Sequence, residues 1–269
     1  MLECSPFPNK KYFRRSMKNL TIFALVFVFA ASGVSAQVEQ QKPKKNEKEN
    51  AATPAIVVSK TASPMEIAKA ALAAHGGDKL KNMKTLVVRG TADVSGSPTV
   101  TFPATFATIY SGDKYRLEIT TPLQPFKQTF DGQTTESSMK GLSLPPLNRL
   151  GLPLLPRIAD KDFVVSALPE KNKKKLGFRI TSPEGFYTDF FIDEKTGLVK
   201  SYESSYEFNG RSITTSVEID KLRDVDGVKI PERYAQRFDT GQLVIYSDFK
   251  AKEILVNSPV ADDVFSISK

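Results

Sequence analysis

Three features of the sequence predict a mainly β (α+β) fold, a meander of about ten antiparallel strands led by one short helix. From Thr85 onward apolar residues recur with a period of two, as on strands with one buried face. Turn signals punctuate that alternation at short intervals. Between the early and late strands stands a leucine- and proline-rich stretch, "GLSLPPLNRLGLPLLPRIAD" at 141–160, that fits no regular element.

The 269-residue chain opens with an expected export signal, residues 1–36. Lys10, Lys11, Arg14, Arg15 and Lys18 form a basic leader to the apolar run Leu20 to Ala31, and Val34-Ser35-Ala36 places small residues at the cleavage position. The run is about a dozen residues, short of the roughly 20 that a spanning helix needs, which favours cleavage near Ala36 over an uncleaved membrane anchor. Met17 offers an alternative start that would shorten the signal. Cys4 precedes the run and no cysteine follows it, so the mature chain has neither a disulfide nor a lipid-modified cysteine. A soluble protein in the periplasm is expected. The formal charge of +8 falls to about +4 once the signal is removed. With no basic helix or recognition motif, that charge does not point to nucleic acid.

Residues 37–61 are polar and low in complexity until Ile56, and read as a flexible tether. A helix follows: Ser63 is placed to cap it, Pro64 suits its first position, Glu66 completes a capping box, and Gly76-Gly77 stop it. Ile67, Ala70, Ala71 and Ala74 give it a slim apolar face. The folded domain is expected over 62–269.

The strands follow in order. Val100, Phe102, Ala104, Phe106 and Tyr110 share one face; Tyr115, Leu117 and Ile119 oppose Lys114, Arg116 and Glu118. Tyr202, Tyr206 and Phe208 oppose Glu203 and Glu207, and Ile213, Val217 and Ile219 oppose Glu218 and Asp220. Asn209-Gly210 and Asp226-Gly227 mark tight hairpins, whose two turn residues need positive φ. A sheet with one apolar face must close, pack on a second sheet or be covered. The leading helix is too short to cover it, so the stretch 141–160 is the expected cover.

Chemistry is sparse. His75 is the only histidine, beside Gly76-Gly77, where a histidine caps carbonyls more often than it catalyses. A zinc site of ordinary composition, a nucleophile elbow, a phosphate loop and a dinucleotide fingerprint are all missing from the sequence. Asp224, Asp226 and Gly227 lack the later acid of a calcium loop and read as a turn, and Asp262-Asp263 read as solvating one. No cofactor and no catalysis are expected. Eighteen phenylalanines and eight tyrosines, set on apolar strand faces beneath an apolar cover, suit a site for acyl chains.

The helix-to-strand opening "AKAALAAHGGDKLKNMKTLVVRGTADVSG" and the ending "VDGVKIPERYAQRF" through "KEILVNSPVADDVFSI", with Asn257, Val260, Asp263 and Phe265, resemble the outer-membrane lipoprotein-sorting carriers, the LolA/LolB-like half-barrel superfamily. The resemblance covers about residues 62–269. It implies a curved antiparallel sheet of about eleven strands forming a half-barrel, with a lid over an apolar cavity for acyl chains. The lid would carry Leu142, Leu144, Leu147, Leu150, Leu152, Leu154 and Leu155. The cavity wall would carry Phe102, Phe106, Tyr115, Leu117, Phe190 and Ile192. The long tether and the pattern of the first helix depart from those carriers, and no motif around Arg89 or Arg116 matches their lid-holding arginine. The expected activity is non-enzymatic carriage of acylated lipoproteins or other lipids by a monomer, with transient contact to inner- and outer-membrane transport proteins. A protein-interaction module with its leucines packed as permanent core is the alternative.

Overall fold

The computed structural model describes residues 58–59, 61–97, 100–139, 144, 147–208 and 210–267, all within one unit, Ala55–Lys269. The expected signal, the tether up to residue 57, Leu142 and Asn209 lie outside the described residues.

Helix α1 (Pro64–Ala74) begins as the capping pattern dictates: the Glu66 N–H bonds the Ser63 hydroxyl and the Glu66 carboxylate takes the Ser63 N–H at 2.7 Å. It buries Ile67, Ala68, Ala71 and Ala74. These small residues let it lie close on the far end of the sheet, against β6, β7 and the second lid turn. Gly76 ends it at φ 123°, and a Cβ there would meet the Gly227 carbonyl oxygen at 2.6 Å; only glycine permits that approach. A single turn, α2 (Asp78–Lys81), leads into the sheet.

The first run of strands is β1 (Thr85–Ser97), β2 (Val100–Ser111), β3 (Lys114–Thr120), β4 (Pro125–Phe130) and β5 (Thr135–Ser137). The second is β6 (Val164–Ser166), β7 (Gly177–Thr181), β8 (Tyr187–Ile192), β9 (Val199–Phe208), β10 (Arg211–Val225), β11 (Val228–Asp239) and β12 (Val244–Val256). They form one antiparallel sheet of 12 strands, one more than the resemblance implied, in the order β5-β4-β3-β2-β1-β12-β11-β10-β9-β8-β7-β6. Each strand pairs with its chain neighbour except at the centre, where β1 meets β12. The edges are therefore β5 and β6, which are consecutive in the chain. The connection between them, residues 138–163, contains the leucine- and proline-rich stretch.

Asp226 and Gly227 both adopt positive φ, 55° and 82°, as the β10–β11 hairpin requires. The main core lies between the inner face of the curved sheet, α1 and the lid. Val58, inside the expected tether, belongs to that core, and its N–H donates to the Glu194 carbonyl at 3.1 Å. A smaller cluster on the outer face joins Val87 and Ile109 to Phe265. Phe265 ends the 3-10 turn Asp262–Phe265, whose first turn carries Asp262 and Asp263.

His75 has a different role from the expected carbonyl cap. Its backbone N–H closes α1, but its ring is buried. Nδ1–H donates to the Lys229 carbonyl at 3.0 Å, and Nε2 accepts the Val199 N–H at 3.1 Å. The ring therefore ties the helix end to β9 and β11 as one neutral tautomer.

Candidate functional site

The inner face of the sheet and the lid enclose a cavity of about 910 Å³, at the upper end of the roughly 300–1,000 Å³ usual for ligand sites. Period-two alternation positions its wall: Leu86 and Val88 of β1, Leu117 and Ile119 of β3, Val217 of β10, Tyr234 of β11 and Ile245 and Phe249 of β12 all turn inward. The cavity reaches the surface at the β11–β12 turn, where Leu243 both lines it and is half exposed. Val100 and Leu123, on neighbouring turns at the same end of the sheet, are exposed as well.

The lid consists of two 3-10 turns, Leu147–Arg149 and Leu152–Arg157. Prolines 153 and 156 fit such short turns and stop them from lengthening into one helix. Polar clamps fix the lid to both halves of the sheet. Buried Gln128 of β4 accepts the Leu144 N–H at 2.6 Å and donates to the Leu144 carbonyl at 2.8 Å, and its amide also donates to the Tyr115 hydroxyl. Asn148 Nδ2 donates to the Asp113 carbonyl at 2.6 Å. Arg157 pairs with the Asp113 carboxylate at 2.8 Å and with Asp160 at 2.7 Å, while its guanidinium lies over Phe163. Arg149 reaches Glu184 on the β7–β8 turn at 3.4 Å. On the second half, the Gly151 N–H donates to the Thr188 hydroxyl at 3.0 Å. Gly151 stands at φ 65° and ψ −149°, a conformation nearly reserved for glycine. A Cβ there would lie 2.8 Å from Tyr202 Cε2.

The lid arginines come from the lid itself. Arg89 pairs with Glu253, and Arg116 bonds Glu118 and the carbonyls of Val264 and Ser266, all away from the cavity.

The leucines divide. Leu144, Leu147, Leu150 and Leu152 line the cavity, whereas Leu154 and Leu155 are fully buried in the main core. Of the six expected wall residues, Leu117 lines the cavity. Phe106 stands behind it, edge-on to the lining Phe249 with ring centroids 5.0 Å apart. Phe102 is half-buried on the same strand face. Tyr115 is buried beneath Gln128, stacked on Phe130. Phe190 is stacked on Phe178 at 5.1 Å, and with Ile192 it packs in the core away from the lining. α1 lies across this end of the sheet, so the β7–β8 side chains meet protein where the β1–β3 and β10–β12 side chains meet the cavity. Tyr110, Ile119, Tyr202, Tyr206 and Val217, recognised in the sequence only as inward-facing, line the cavity.

Four tyrosines, Tyr110, Tyr202, Tyr206 and Tyr234, line the cavity, whose largely apolar wall also carries Thr108, Ser204, Thr215, Gln236 and Ser247. Burial raises the pKa of each, so all are neutral phenols. Among the described residues, no group of three or more His, Cys, Asp or Glu side chains could hold a metal, and no helix is long and apolar enough to cross a membrane.

No family model matches the chain, and no curated protein matches it. Solved structures do. A LolA superfamily protein from Nitrosomonas europaea superposes with a TM-score of 0.50 at 12% identity, over 77% of this chain and 98% of its own. A DUF1329 family protein from Desulfovibrio piger gives 0.44 at 10% identity, over 76% and 98% of the two chains. A domain described as outer membrane lipoprotein sorting, from Vibrio parahaemolyticus, gives 0.43 at 11% identity, over 74% and 95%. The chain has the LolA-like fold: a curved, open antiparallel sheet.

Proposed function

We propose that the protein is a periplasmic, monomeric, non-enzymatic carrier or binding protein for acylated lipoproteins or other lipids, holding acyl chains under the lid. One observation carries this reading: the segment joining the two free edges of the sheet roofs a largely apolar cavity of about 910 Å³. The likeness to a LolA superfamily protein agrees with it.

The mechanism needs no covalent chemistry. Each methylene moved from water into the cavity contributes about 0.8 kcal/mol, so a sixteen-carbon chain gains on the order of 12 kcal/mol before costs. Association costs of about 4–15 kcal/mol offset much of that. The result is binding that can be reversed by an acceptor of higher affinity, such as a membrane transport protein. The lid leucines that face the cavity, Leu144, Leu147, Leu150 and Leu152, would move during exchange while Leu154 and Leu155 stay anchored.

A second reading, a cell-envelope interaction module without lipid transfer, draws on the full burial of Leu154 and Leu155. Titration of the exported protein with the hydrocarbon dye 1,6-diphenylhexatriene separates the two. The carrier reading predicts saturable fluorescence enhancement that Leu147→Ser and Leu152→Ser weaken. A flat titration would contradict it and favour the interaction module.

A further inference from the structure

The phenols on the cavity wall specify more than an apolar site needs. Tyr202 of β9 lies under the lid, its hydroxyl 3.1 Å from where a Cβ on Gly151 would be. Tyr110 of β2 and Tyr234 of β11 line the same cavity, and Val217 of β10 stands opposite Tyr202 on one side and opposite Gln236, two residues from Tyr234, on the other. The three are near enough that ionising Tyr202 would repel a charge on either of the others. Tyr234 is held by its ring, stacked on Phe249 with centroids 4.7 Å apart. Among the described residues, none bonds the hydroxyls of Tyr110, Tyr202 or Tyr234. Tyr206 is 95% buried on the same wall, and its hydroxyl too has no protein partner. Buried hydroxyls are nearly always bonded; that of Tyr206 is not, and together with three partly buried phenols that face the same cavity it points to a ligand that carries acceptors.

Charge narrows the class. Of the cations that line the cavity, Lys81 and Lys84 are exposed, Arg157 is neutralised by Asp113 and Asp160, and Lys229 by Asp224. The phenols therefore offer donors with no full positive charge beside them. A carboxylate drawn in to meet them would be desolvated without a counter-ion, which costs several kcal/mol. An ester or amide carbonyl accepts the same hydrogen bonds at no such cost.

We propose that Tyr110, Tyr202 and Tyr234 form a carbonyl-recognition site that selects acyl chains joined through an uncharged ester or amide over free fatty acids. The inference rests on the reading of the cavity as a lipid site.

The test is displacement of 1,6-diphenylhexatriene from the exported protein at pH 8 by 1-monopalmitoylglycerol, by N-palmitoylglycine amide and by palmitate. The first two distinguish a glycerolipid source from an acylated-protein source, and at least one should displace the dye at about a tenth of the palmitate concentration or less. Tyr202→Phe and Tyr234→Phe should each weaken that ligand by roughly 2- to 12-fold, the worth of one hydrogen bond. Dye and palmitate affinities should fall by a smaller factor than that of the neutral ligand. Palmitate displacing as well as the neutral ligands, or a Phe variant weakening every ligand equally, would overturn the selection while leaving the cavity reading intact. Failure of the dye to bind would overturn both.

Discussion

Truncating single lid leucines should separate anchoring from lining. Leu154 has no exposed surface and sits among core residues that include α1 side chains. Leu154→Ala removes buried methyl groups and leaves a closed void, a change worth about 2–5 kcal/mol. For a domain of this size each kcal/mol lowers the melting temperature by about 2–4 °C, so a fall of about 4–20 °C is expected. Leu152, two residues earlier, is only partly buried and lines the cavity. Leu152→Ala enlarges a space that already exists, so its cost should stay below the roughly 1.5–3 kcal/mol of a fully buried side chain. Urea denaturation measures the stabilities, and diphenylhexatriene titration measures occupancy of the cavity. The expected pattern is a large stability loss with dye affinity kept for Leu154→Ala, and the reverse for Leu152→Ala. Equal stability losses would refute this division of the lid, as would dye binding lost only in the Leu154 variant.

Other residues offer independent checks. Gly151→Ala should cost about 1–3 kcal/mol, because its backbone conformation disfavours any Cβ and Tyr202 occupies the space; a melting temperature equal to wild type would contradict this. His75 is held neutral by burial, with its pKa below the ordinary value. In the unfolded chain it titrates near 6.5. Between that value and its lower folded value the unfolded state binds the extra proton, so its contribution is full above about pH 6.5 and declines as pH falls. His75→Gln should therefore be least damaging at low pH, and a stability gap to wild type that is constant from pH 5 to 7.5 would contradict the assignment. Gln128→Ala removes both bonds to the Leu144 backbone; the Leu144 amide should exchange with deuterium faster, while the amides of β11 should not change.

Much of the fold was legible because one-faced strands leave a strong period. Val100 to Tyr110 and Tyr115 to Ile119 place their inward faces by alternation alone, and Ser63, Pro64 and Glu66 mark the helix start. The location of the lid followed from proline: no strand or long helix can run through residues 145–156. The division of its leucines was hidden, since short 3-10 turns broken by proline have no sustained period that sorts Leu152 from Leu154. Pairing of β1 with β12 was hidden too. It depends on contacts between residues over 150 positions apart, such as Leu86 with Val256, and it decides that β5 and β6 are the edges the lid must join. Phe190 and Tyr115 show the same limit from another side. An inward aromatic has one sequence pattern whether it meets a helix, a neighbouring ring or a cavity, and only the placement of α1 and Gln128 separates these cases. Tyr110, Tyr202 and Tyr206 read in the sequence as apolar-face residues and Tyr234 did not; that all four line one cavity depends on long-range strand pairing.

The most direct test of the central claim is to purify the protein from its native cells under native conditions, extract it with organic solvent and analyse the extract by mass spectrometry. The account predicts acyl compounds in stoichiometric amount, joined through esters or amides and depleted in the Leu147→Ser, Leu152→Ser double variant. Protein that carries no acyl compound, and takes none up when incubated with monopalmitoylglycerol, would contradict it.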